Sequence, residues 1–86
     1  MSVLDDMGDA LARDVLAAMV ELEDDKLADK MSKILLDASP TMQEAFLTAY
    51  RVRVAEMRGR KFVESLLKAK REGTAPPPGP NMQSGH

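Results

Sequence analysis

The chain has 86 residues and a formal net charge of −2; 44% of its residues are hydrophobic, yet it holds only one Tyr, two Phe and no Trp. So short a chain makes one domain at most and leaves a larger share of its surface in water than a typical domain does. Ala, Leu, Val and Met supply the apolar material, which suits helix interfaces and argues against an aromatic-anchored sheet. The absence of Cys removes disulfides, zinc–thiolate centres and thiol catalysis. The N-terminus is acidic, and no apolar run approaches the roughly 18 to 20 residues of a membrane span. The expectation is a soluble, cytoplasmic protein without a membrane partner.

In the first third, Leu4, Met7, Leu11, Val15, Ala18 and Leu22 recur at spacings of three and four and form one helical stripe. Ser2 followed by Asp5 suits a helix start, because the Ser oxygen can accept an early backbone N–H while the acid offsets the positive helix end. After Leu22, at Glu23-Asp24-Asp25-Lys26, the stripe loses phase and resumes at Leu27, Met31, Ile34, Leu35 and Ala38. Either one long helix changes its buried face there, or Asp24 or Asp25 caps a second helix. With no Gly or Pro in the segment, continuity over about residues 3 to 38 is the favoured reading.

Ser39-Pro40 interrupts the pattern. Proline is tolerated in the first turn of a helix but blocks its interior, and it pushes the preceding residue out of helical geometry. Ser39 therefore reads as a stop and a new N-cap at once, with Thr41 and Glu44 offering a competing capping box. A tight connection at about residues 39 to 40 predicts antiparallel neighbours. The next helix, from Pro40 or Thr41 to about residue 72, carries Met42, Ala45, Phe46, Ala49, Val52, Met57, Phe62, Val63, Leu66 and Leu67. Gly59 is its weak point, and Gly73 is a natural stop. The expected architecture is all-α: an antiparallel two-helix hairpin over residues 1 to 73, followed by a flexible Pro/Gly-rich tail over 74 to 86.

A lone hairpin has one seam for its apolar surface. Val3, Leu16, Met19 and Val20, together with Tyr50, Val54 and Phe62, widen the apolar arc beyond what one partner needs. The interface set is Leu4, Met7, Leu11, Val15, Leu22, Leu27, Met31, Leu35, Met42, Phe46, Ala49, Phe62 and Leu66. Its breadth predicts self-association into a four-helix dimer or a ring of hairpins.

Charge is segregated along the chain. Residues 1 to 25 hold eight acids against Arg13 alone, whereas residues 51 to 71 hold eight bases, Arg51, Arg53, Arg58, Arg60, Lys61, Lys68, Lys70 and Arg71, against Glu56 and Glu64. In a hairpin the two blocks oppose each other and fix antiparallel orientation. If some of the bases face outward instead, they form a non-specific, salt-sensitive nucleic-acid surface. No aromatic residues are interleaved for base stacking, so sequence reading is not expected.

No catalytic, cofactor or metal set emerges. The single His, His86, is the last residue; Asp5-Asp6 and Asp24-Asp25 lack a calcium-loop pattern; Ser32, Ser39 and Ser65 have no His partner; and Gly8, Gly59 and Gly73 form no phosphate loop. The chain reads as a non-enzyme.

The hairpin plan, Leu35-to-Glu44 turn included, with its wide apolar arc, basic second helix and loose tail, resembles the oligomerisation core of viral terminase small subunits. It is similar as well to their counterparts in phage-derived gene transfer agents. The resemblance covers about residues 3 to 72. It implies a ring that presents DNA to the larger motor subunit and regulates it, without catalysis of its own. Many members carry an N-terminal helix-turn-helix domain, and the acidic Met1-to-Asp25 region departs from that. DNA contact would then be weak or fall to the basic helix, leaving the tail to engage the motor protein. A competing class is a small dimeric regulatory adaptor that binds a protein or a structured RNA. A third is an antitoxin-like protein that folds fully only with its target.

Overall fold

The structure, a computed structural model, describes residues 2–76. The expected tail beyond Pro76, His86 included, lies outside the described residues. The elements are α1 (Val3–Leu22), α2 (Leu27–Ala38) and α3 (Pro40–Glu72), with no strand among the described residues. The chain divides into two units, Met1–Val54 and Ala55–His86.

The start of α1 follows the sequence expectation. Ser2 is extended, and its Oγ accepts the Asp5 N–H at 3.0 Å, with Asp5 and Asp6 in the first turn. Its end corrects the expectation of one continuous helix to Ala38. Glu23 adopts a left-handed conformation, φ 52°, and the turn closes with Glu23 N–H to Val20 O (3.3 Å) and Asp24 N–H to Met19 O (3.1 Å). This is the Schellman arrangement, built on a Glu where Gly is usual. Asp24 then stabilises the connection from both carboxylate oxygens: Oδ1 accepts the Lys26 N–H at 2.9 Å and Oδ2 accepts from Lys30 Nζ at 2.9 Å. An Asp side chain that bonds backbone two residues on offers the chain an alternative to helix.

At the second junction Ser39 is extended, and its Oγ accepts the Met42 N–H at 3.2 Å while Pro40 occupies the first helical position. Ser39, not Thr41, is the cap. The helix then runs unbroken to Glu72. Gly73 (φ 70°) and the Thr74 N–H to Ala69 O bond (3.0 Å) close it in a second Schellman turn.

The break after Leu22 decides the packing of the first unit. A hairpin folded about residues 39 and 40 would set Asp9 opposite about residue 70. Instead α1 lies against α3 near residues 45 to 53, with Asp9 bonded to Arg53 and Gly8 against Ala45. The two-helix pairing is therefore replaced by three helices around one small core. Phe46 is fully buried there, with Ala12, Val15 and Ala28, and Leu11, Met19, Leu27, Met31, Leu35, Leu47, Ala49 and Tyr50 pack around them. The Phe46 and Tyr50 rings lie 5.9 Å apart. A Cβ on Gly8 would come within 2.8 Å of the Ala45 backbone, so only glycine permits this approach.

In the second unit, the described helix keeps Ala69 buried, whereas Met57, Phe62, Val63 and Leu67 are exposed. No helix among the described residues is long and apolar enough to cross a membrane.

Candidate interaction surfaces

Two surfaces stand out, one in each unit. In the first unit a groove of about 520 Å³ runs between α1 and the start of α3. Leu4, Asp5 and Asp9 line it from α1, and Thr41, Glu44, Ala45, Thr48, Ala49 and Val52 from α3. Close by, Gly8 lies against Ala45, one of the lining residues, with no room for a side chain between them. Val52 is 62% exposed, and Asp5 and Glu44 are exposed at the rim.

Asp9 is the charged anchor of that groove. Arg53 donates to both of its oxygens, Nε to Oδ1 at 2.6 Å and Nη2 to Oδ2 at 2.8 Å. This side-chain bond holds the Asp9 carboxyl below the usual Asp range, with partial burial opposing it and the charges of Arg53 and Arg13 assisting. Asp24 is lowered in the same direction, chiefly by Lys30 and then by the Lys26 N–H.

In the second unit the surface is the helix itself. At about 100° per residue, Phe62, Val63, Leu66 and Leu67 share one arc with Glu56 and Lys70, whereas Lys61 and Lys68 point away from it and Arg71 lies at its edge beyond Leu67. Arg58 borders the arc on one side and Arg60 on the other. Arg60 pairs with Glu56 one turn earlier, Nε to Oε2 at 2.8 Å, and this bond raises its pKa. Gly59 sits in this helix with open space where a Cβ would be.

The expected nucleic-acid set thus divides. Arg53 is half-buried and held by Asp9, while Arg51, Arg58, Arg60, Lys61, Lys68, Lys70 and Arg71 are exposed. Of the expected interface set, Val15 and Phe46 are buried. Leu4, Leu11, Leu27, Met31, Leu35, Met42, Ala49 and Leu66 are half-buried, and Met7, Leu22 and Phe62 are exposed. Gly8, Ala12 and Ala28 are buried contact residues that sequence reasoning passed over. Their signal was the small residues Gly8 and Ala12 at helical spacing before Val15. Of the expected opposition of acidic and basic blocks, the structure describes one ion pair, Asp9 with Arg53, in a register the hairpin does not give.

Among the described residues no three His, Cys, Asp or Glu side chains cluster closely enough to hold a metal ion. Comparison of the chain with protein families, with curated proteins and with solved structures finds no match.

Proposed function

We propose that this chain is a non-enzymatic helical scaffold that self-associates and holds DNA by its backbone. The role is that of a terminase small subunit presenting DNA to a larger motor protein. The observation that carries this reading is the double character of the helix over residues 55 to 72. Phe62, Val63 and Leu67 are exposed on one arc, Lys61 and Lys68 are exposed on the opposite side, and Arg71 is exposed between them. An apolar arc left in water favours a protein contact. Bases directed away from it remain available to phosphates after that contact forms.

The reading specifies weak, sequence-independent binding, since bases along one helix meet backbone phosphates and Phe62 is assigned to the apolar arc. Fluorescence anisotropy of a labelled duplex across a salt series tests it. Affinity should fall steeply with salt. Replacing Lys61, Lys68 and Arg71 together by Ala should flatten the log–log slope by about 0.9 for each phosphate that is no longer neutralised. Absence of binding at low salt, or a slope the triple variant leaves unchanged, would remove DNA from the proposal and favour the adaptor class with a protein partner.

A further inference from the structure

We infer that copies of this chain join head to tail, with the apolar arc of residues 55 to 72 of one copy seated in the acid-rimmed groove between α1 and α3 of the next. The inference rests on the self-association proposed above and names the surface that receives the second copy.

Three observations converge on it. The groove is lined by the apolar Leu4, Ala45, Ala49 and Val52 together with the acidic Asp5, Asp9 and Glu44. The helix offers the complementary surface: Phe62, Val63 and Leu67 are exposed by 36%, 52% and 46%, with Arg58 at one edge, Lys70 among them, and Arg60 at the other edge bonded to Glu56. The third is charge. Residues 1 to 54 hold eleven acids and six bases, a formal −5, and residues 55 to 86 hold three acids and six bases, a formal +3.

Charge selects between the ways two copies could meet. Pairing one basic segment with another sets +3 against +3, whereas helix-to-groove contact joins opposite signs, and complementary potentials of this kind govern partner choice and encounter rate. Because the two surfaces differ, the contact is heterologous. Each pair of copies retains one open groove and one free helix, and growth continues to a closed ring or an open filament. Lys61 and Lys68, on the opposite side of the helix, stay outside the seat.

Light scattering on the full chain tests this with complementary variants. One carries Phe62→Asp and Val63→Asp, which spoil the helix; another carries Glu44→Lys and Val52→Lys, which spoil the groove. Thr48→Arg, which fills the groove by bulk, serves as an independent groove variant, and circular dichroism checks that each keeps its helix content. Wild type should grow beyond a dimer at low salt. Each variant alone should associate at least about tenfold more weakly. An equimolar mixture of a helix variant with a groove variant should form a 1:1 dimer and nothing larger, since only one intact helix and one intact groove remain.

Groove variants that assemble like wild type would overturn the seat while leaving self-association intact. A wild-type chain that stays monomeric at every salt concentration would overturn both. A mixture that shows no dimer although wild type assembles would also overturn the seat.

Discussion

The first 54 residues and the helical segment that follows use similar residues to opposite ends. In the first unit, Phe46 is fully buried, and Ala12, Val15 and Ala28 close around it because α1, α2 and the start of α3 converge there. In the second, Phe62 has the same side chain on the same helix and remains 36% exposed, next to Val63 at 52%. Small residues diverge in the same way. A Cβ on Gly8 would strike backbone, while one on Gly59 would meet nothing within 4 Å. Whether an apolar or small residue acts as core or as surface therefore depends on what the chain brings opposite it, and composition alone carries no such information.

The largest effects should come from hollowing out the core. Phe46→Ala should destabilise the chain by about 3–5 kcal/mol, a large fraction of what so small a unit can hold, and should lower the urea midpoint followed by circular dichroism. Phe62→Ala in the same assay should stay within about 0.5 kcal/mol, measured at concentrations where the chain is monomeric. Equal losses at the two positions would break the comparison.

Next in size is Gly8→Ala. The added methyl must displace the Ala45 backbone, a shift expected to cost about 1–3 kcal/mol and to appear as a lower thermal midpoint. The same substitution at Gly59 should act with the opposite sign. It adds helix propensity of up to about 1 kcal/mol in open space and should raise the helical content or midpoint. Ser39→Ala, which removes the bond to the Met42 N–H, should lose about 1 kcal/mol and fray the junction, visible as faster amide exchange at Met42.

The smallest effect concerns pH. The Asp9 and Asp24 carboxyls are held below their ordinary value, so the folded chain binds their protons less readily than the unfolded chain does. The stability they supply is complete above the ordinary Asp value near 3.9, and it is lost as pH falls through their lowered values. Thermal midpoints measured from pH 6 down to pH 2 should therefore drop in this interval. The Asp9→Asn, Asp24→Asn double variant should start lower at pH 6 and decline less steeply. A double variant that declines as steeply as wild type would remove these two bonds as the cause.

How far the fold was legible differs by residue. Ser2, Ser39-Pro40 and Gly73 mark helix ends through bonds made within a few positions, and each acts where the sequence placed it. The end at Leu22 was less legible because its left-handed residue is Glu23 rather than Gly. Loss of phase in the apolar stripe was the available signal, and the absence of Gly and Pro outweighed it. The basic face was legible as composition, but the removal of Arg53 to Asp9 was not, since it depends on a contact forty-four positions away. The groove was not legible at all, because its lining brings residues 4 to 9 beside residues 41 to 52.

By itself the sequence determined the helical class, the caps and the segregation of charge, since these depend on periodicity and on hydrogen bonds that close within one turn. Tertiary structure decided that α1 lies against α3 near residues 45 to 53, that Asp9 is bonded to Arg53, and that Phe46 rather than Phe62 becomes core. Those outcomes require burying Gly8, Ala12 and Val15 against residues more than thirty positions along the chain. The turn at Glu23 is closed by local bonds, while the burial of Ala12, Val15 and Ala28 against Phe46 is what the tertiary structure adds.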